Sequence, residues 1–162
     1  MFFRAAPAPA PRGEATTFEE LLVMETADHG PRTGSADARG WRPSMEDAVV
    51  VDVHAVPGAL ALAIFDGHGG AGVSAAGAAA LGPRLKALCA TRPPSQYLAE
   101  VFPALDAAIH SSSGTTFDST GSTAVCVVVT SQELACGWLG DSKALLGTSS
   151  DVVALSTDHK RP

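Results

Sequence analysis

Cysteine is scarce in this sequence: Cys89, Cys126 and Cys136 are the only three in 162 residues. None stands in a CxxC spacing and no secretory signal is evident. That argues against a disulfide scaffold and makes a reduced intracellular compartment, cytoplasmic or nuclear, the expectation. Long apolar runs are missing too. The longest candidate, residues 71–82, is mostly alanine and glycine, and nothing approaches the roughly 18 apolar residues of a membrane helix. Positive charge is thin, with 11 Lys and Arg against 17 Asp and Glu for a net charge of -6. No basic block could neutralise phosphates, so nucleic acid is not an expected partner. What is present suits a folded core: 46% of residues are hydrophobic and 17% charged, in a length that fits one domain. An acidic balance also suits a site that gathers carboxylates around divalent cations.

Residues 1–12 are rich in Pro and Ala, with Arg4 and Arg12. They read as a flexible tail, with an organellar transit segment as the alternative. Thr17, with Glu20 three residues later, suggests a capped short helix over residues 18–24. Residues 1–30 are therefore expected to be tail with a possible short helix, and 31–162 the domain. Residues 28–40 carry Gly, Pro, Asp and Ser and read as loop. Val49, Val50, Val51 and Val53 mark a strand, Pro57-Gly58 a turn, and residues 59–65 a second strand, together a hairpin. Val73, Ala76, Ala80 and Leu81 share one helical face, which Pro83 should kink or end. After Pro93-Pro94, Ser95 is a suitable N-cap, and Leu98, Val101, Phe102, Leu105 and Ile109 form a helical stripe of core residues. Strands are expected over 123–130, 134–139, 143–146 and 151–155. Strands, two helices, then strands again make an α+β class with antiparallel sheets and no βαβ repetition. If Ser131-Gln132 is a two-residue hairpin loop, Cys126 lies opposite Gly137 and Cys136 opposite Val127. The two thiols then face opposite sides of the sheet and cannot bond.

Chemistry concentrates at the open end of the first hairpin. Asp47 lies 10 residues before Pro57 and Asp66 lies 8 after Gly58, so Glu46, Asp47 and Asp66 are expected to cluster at one sheet end. Three close carboxylates repel and raise one another's pKa unless a cation neutralises them. Oxygen donors favour Mg²⁺ or Mn²⁺, and a pair of such ions about 3.5–4 Å apart serves attack by water on phosphorus. Gly67 lets the backbone approach closely enough to offer its carbonyl. His68, with an ordinary pKa of about 6.5, suits a proton donor to a leaving alkoxide. Arg42 can fork onto a phosphoryl group.

Five segments then resemble, in order, the motifs of the protein phosphatase 2C (PPM-type) family. They are Gly40-Trp41-Arg42-Pro43-Ser44-Met45-Glu46-Asp47-Ala48 and Phe65-Asp66-Gly67-His68-Gly69-Gly70. Gly121-Ser122-Thr123-Ala124, Leu139-Gly140-Asp141-Ser142-Lys143-Ala144 and Leu155-Ser156-Thr157-Asp158-His159-Lys160 follow. The resemblance implies an α/β/β/α sandwich, here its N-terminal part. It also implies metal-dependent hydrolysis of phosphoserine and phosphothreonine in phosphoprotein substrates. By resemblance, Asp66 bridges two Mg²⁺ or Mn²⁺ ions, and Glu46 and the Gly67 carbonyl complete one shell. Asp47 holds metal-bound water and Asp141 matches a third, weaker metal position. Arg42 binds substrate phosphate, His68 is the general acid, and Ser122 and Thr123 hydrogen-bond within the sheet. Lys143 stands where Arg is usual, and Lys160-Arg161-Pro162 departs from the usual Lys-Pro step. The family's later DGxxD-like and DN motifs do not occur. The isolated chain is therefore expected to be a weak or inactive catalyst, and to self-associate through unpaired strands. The alternative function is a non-catalytic half-domain that binds or regulates partners.

Overall fold

The computed structural model describes Phe2–Phe3, Glu20–Met24 and residues 33–56, 58–89, 92–113 and 119–159. The N-terminal strands are β1 (Phe2–Phe3), β2 (Glu20–Met24) and β3 (Thr33–Asp37). The hairpin β4 (Ala48–Val56) and β5 (Ala59–Phe65) follows, then the short β6 (Gly67–His68). Two helices, α1 (Gly72–Cys89) and α2 (Pro94–Ser113), lead to β7 (Gly121–Ser122), β8 (Ala124–Val129) and β9 (Leu134–Leu139). The last strands are β10 (Ala144–Gly147) and β11 (Val152–Ala154). The main sheet runs β4-β5-β8-β9, antiparallel throughout. Smaller sheets are β1-β10-β11, β2-β3 and β6-β7.

Alternation along the strands divides the interior in two. Ala59, Ala61, Ala63 and Phe65 of β5 join Ala124, Cys126 and Val128 of β8 against the helices. Val125 and Val127 of β8 pack on the other face with Ala144, Trp138 and Leu155. Three of the four β5 residues on the helical side are alanine, which lets α1 and α2 lie close to the sheet. The stripe expected on α2 is there: Leu98, Val101, Phe102 and Leu105 are buried, Tyr97 joins them, and Ile109 is half-buried. Helix α2 begins at Pro94, so Ser95 sits inside the first turn, where its N–H donates to the Glu133 carboxylate (3.3 Å). Such an anion offsets the helix dipole.

Helix α1 is rotated from the face expected: Ser74, Gly77, Leu81 and Leu85 are its buried residues, so Leu81 is where it was expected, Ala80 packs half-buried against the core, and Val73 and Ala76 are half-buried at its margin. Close approach decides this. A Cβ on Gly77 would stand 2.8 Å from Phe65 Cε1, so the ring of Phe65 occupies the notch that glycine leaves. Pro83 is exposed and the helix runs through it to Cys89.

The β8–β9 hairpin closes as expected through Ser131-Gln132, with Thr130 N–H donating to the Glu133 carbonyl (2.9 Å). Cys126 pairs with Gly137 and Cys136 with Val127. Burial pushes the Cys126 thiol up to about 12 and the Cys136 thiol up to about 11; Cys126 is fully buried and Cys136 half-buried, each packed on its own side of the sheet. The short helix expected over residues 18–24 does not form in its described part. Glu20–Met24 is strand β2, paired with β3 from Glu20↔Asp37 to Met24↔Thr33. Strand β3 itself lies in the stretch expected to be loop. A local capping signal gives way here to pairing of an apolar run. The expected tail over residues 1–16 lies outside the described residues except for Phe2–Phe3.

Candidate functional site

Strand register builds the site. Ala48 pairs with Phe65 at the end of the β4–β5 hairpin, so Asp47 and Asp66 are the next residues out on adjacent strands. The turn alone would not achieve this. Val56 pairs with Ala59 beside Gly58, whose φ is 71°. Continued from that pair, Asp47 would fall opposite His68. Between Asp52↔Ala61 and Val56↔Ala59, however, three residues of β4 stand against one of β5. The bulge absorbs the two surplus residues and sets Asp47 beside Asp66.

The two carboxyl groups interact directly. Partial burial, first, then the charge of Asp66 and a hydrogen bond with it hold the Asp47 carboxyl above its ordinary range. Arg42 pulls it back down, and Asp37 adds a smaller upward push. Arg42 is thus within electrostatic reach of the acid pair. Its loop is pinned by Arg39, whose guanidinium donates to the carbonyls of Arg42 (3.0 Å) and Pro43 (3.4 Å).

Backbone contacts hold the acids in place. The Asp66 carbonyl accepts the Thr123 N–H (2.9 Å), and the Glu46 carbonyl accepts the Gly67 N–H (3.2 Å) and the Ser74 hydroxyl. Gly67 has no room for a side chain, since a Cβ would stand 2.8 Å from Ser74 Oγ and collide with the Glu46 carbonyl. The expected three-acid cluster is only partly assembled. The Glu46 carboxylate accepts the Ser44 hydroxyl (3.0 Å), and among the described residues no group of three His, Cys, Asp or Glu gathers in metal-holding geometry.

His68 is exposed on β6, which pairs with β7 through His68↔Gly121. Its imidazole lies over Gly121, where a Cβ would sit 2.7 Å from Cε1. Asp141 occupies the β9–β10 turn after Gly140, whose φ is 86°. Gly140 packs against Thr123, and the Thr123 and Ser142 hydroxyls share a hydrogen bond. Through Thr123 the Asp141 turn is therefore tied to the Asp66 backbone. Ser74 is a site residue that the sequence reading missed. Its one signal was to be a hydroxyl on the small-residue face of α1.

Do these residues suit divalent cations? Asp47 and Asp66 are paired oxygen donors whose repulsion a hard dication would relieve, and no sulfur or imidazole competes in that pair. The pair fits; the Glu46 side chain would have to leave Ser44 to join it.

An antiparallel sheet backed by two helices, with paired aspartates at one strand end and Arg42 in electrostatic reach, makes this an α+β domain. Two crystal structures share the fold. A bacterial serine phosphatase superposes with a TM-score of 0.63 at 19% identity, covering 90% of this chain and 64% of that one. Serine-threonine phosphatase 2C from Toxoplasma gondii superposes with a TM-score of 0.62 at 19% identity, covering 94% and 54%. The family model for protein phosphatase 2C matches residues 32–161, and the chain belongs to that family. Mouse "Probable protein phosphatase 1N" is 35% identical over 88% of this chain and 37% of its own length. "Protein phosphatase 2C homolog 3" of Schizosaccharomyces pombe is 33% identical over 78% and 32%. The chain thus spans about a third of the length of these relatives.

Proposed function

We propose that this chain supplies the Arg42, Asp47, Asp66 and His68 side of a protein serine/threonine phosphatase site. Its cofactors would be Mg²⁺ or Mn²⁺. The observation that carries the reading is the placement of Asp47 beside Asp66, with Arg42 in electrostatic reach. When bound, the cations supply charge neutralisation and Lewis acidity for attack on a phosphate ester. The chain's own residues do the rest. Asp47 and Asp66 hold the cations as a pair, and Gly67 keeps the Glu46 carbonyl against the same strand end. Arg42 orients the phosphoryl group and offsets its charge. The His68 imidazole, exposed at the rim, hands a proton to the departing serine or threonine oxygen.

A second reading, a non-catalytic half-domain that binds phosphorylated partners, draws on the Glu46–Ser44 bond and the incomplete acid cluster. One experiment separates the two. Phosphoserine-peptide hydrolysis with Mn²⁺ is measured for the chain alone and for the chain continued past Pro162 by the second half of a family member. The first reading expects little turnover alone and rescue in the longer protein, at least about a hundredfold lower again in Asp66→Asn. His68→Ala should slow the rescued protein most with poor leaving groups. Binding without turnover in the longer protein favours the second reading. Turnover that survives Asp66→Asn overturns the first.

A further inference from the structure

We infer that His159 is a positioning residue: it clasps Gly140 from both sides and so aims the neighbouring Asp141 carboxylate. The inference rests on the proposed phosphatase site only in assigning that carboxylate a use.

Residues 155–159 run back along the β9–β10 turn and bind it at nearly every position. Leu155 N–H donates to the Ala144 carbonyl (2.9 Å). The buried Ser156 hydroxyl accepts Ala144 N–H (3.0 Å) and donates to the Ser142 carbonyl (3.2 Å). Trp138 Nε1 donates to the Thr157 carbonyl (2.7 Å), and Lys143 Nζ meets Asp158 Oδ1 at 2.6 Å. His159 then closes the strap twice on one residue. Its N–H donates to the Gly140 carbonyl (2.9 Å), and its Nδ1 accepts the Gly140 N–H (3.3 Å). Both backbone polar groups of Gly140 are thereby taken by His159, while the imidazole rests near the Trp138 ring at a centroid distance of 6.0 Å.

This clasp matters because Gly140 is the pivot of the turn. Its φ of 86° is open to glycine and strained for other residues, and the missing side chain makes room for Thr123, whose Cγ2 a Cβ would meet at 2.8 Å. Thr123 carries the Asp66 carbonyl on its N–H and Ser142 on its hydroxyl. Gly140, Ser142 and Lys143 are all engaged. The Asp141 carboxylate alone in the turn has no partner among the described residues, and it is exposed. A rigid frame around one unengaged carboxylate is how a protein presents a ligand oxygen in advance. The accepting Nδ1 carries no proton, which places the ring hydrogen on Nε2 and makes the clasp specific to one tautomer.

Isotope-labelled NMR of the whole 162-residue chain tests this with two variants. His159→Asn keeps an acceptor near the Nδ1 position, and His159→Gln moves it away. In His159→Gln the Gly140 amide should exchange about fivefold faster, the loss of one modest hydrogen bond. The Asp141 side chain should pass from one rotamer to an average by its Hα–Hβ couplings. His159→Asn should match the parent in both, and β8 amides should be unchanged in either variant. Mn²⁺ titration adds a functional arm: paramagnetic broadening at Asp141 should need about threefold more Mn²⁺ in His159→Gln than in His159→Asn. Equal behaviour of the two variants, or faster exchange throughout β8, overturns the inference. Absence of Mn²⁺ broadening at both Asp66 and Asp141 in the parent overturns the metal reading instead, and the exchange and rotamer results still decide the clasp.

Discussion

Two residues at the site carry opposite kinds of tension. At Gly67 it is steric. Alanine there would drive its Cβ into the Glu46 carbonyl and Ser74 Oγ, and overpacking of this kind costs about 1–3 kcal/mol. Gly67→Ala should lower the thermal midpoint by several degrees. Adding Ser74→Ala should recover only part of the loss, because the Glu46 carbonyl still stands in the way; full recovery in the double variant would contradict the geometry. At Asp47 the tension is electrostatic. Burial and the Asp66 charge hold its carboxyl above the ordinary 3.8, so the fold favours the protonated form. Below that ordinary value both folded and unfolded chains are protonated and nothing is lost. As pH rises through the unfolded and then the folded pKa, stability falls. In chelator, Asp47→Asn should therefore match the parent near pH 3.5 and melt higher at pH 7. The group is partly exposed, so the gain is well under about 1 kcal/mol, or about 1–3 °C. Mn²⁺ should stabilise the parent more than the variant, and an equal response would sever Asp47 from the metal.

Among the elements, the β4–β5 hairpin bears most directly on function, because its bulge reconciles two demands. The turn at Gly58 pairs Val56 with Ala59, while the sheet end pairs Ala48 with Phe65. Two residues of β4 are surplus between them, and a bulge is how an antiparallel pair stores surplus chain. Deleting two of Val53, His54 and Ala55 should leave a regular hairpin with Asp47 still beside Asp66, so Mn²⁺ affinity should change by less than about twofold. Deleting one should force a one-residue offset that turns alternate side chains to the wrong face, with loss of Mn²⁺ binding or of folding. Calorimetric titration of the two deletions compares them directly; identical behaviour would mean the register is not what sets the site. Helix α1 shows another kind of control. Phe65 and Gly77 fit as ring and notch, and Phe65→Ala should cost about 3–5 kcal/mol in chemical denaturation.

For the molecule as a whole, one face is finished and another is not. The helices cover one side of the main sheet, and Leu81, Leu85, Tyr97 and Val101 beneath them are fully buried. On the second sheet, Val152 is 63% and Val153 46% exposed, and among the described residues β11 pairs with a strand on one side only. Such an edge is a template for another chain. Sedimentation of the 162-residue chain should show association that rises with concentration, and Val152→Lys with Val153→Glu should suppress it. A monomer at every concentration would remove β11 as a contact surface.

Local chemistry in the sequence determined much of this protein. The turn residues marked the β4–β5 and β8–β9 hairpins, the two-residue period put Cys126 and Cys136 on opposite faces, and the spacing of Leu98, Val101, Phe102 and Leu105 drew the α2 stripe. The family motifs named Arg42, Asp47, Asp66 and His68 in order. What needed the tertiary structure was whatever depends on one segment's relation to another. The bulge and sheet end set the Asp47–Asp66 register; the spacing from the turn gave only approximate proximity. In the first half of α1 nearly every residue is small, so periodicity says little there about which face is buried; Phe65 decides it by reaching Gly77. The Glu46 side chain had a hydroxyl two residues away and took it instead of joining Asp66. Thr17 and Glu20 carried a helix-capping signal, yet Glu20–Met24 pairs as a strand, because the apolar run found β3. Finally, nothing within residues 155–159 announces a strap, since its acceptors and donors lie on Trp138, Gly140, Ser142, Lys143 and Ala144, which only the folded chain brings alongside.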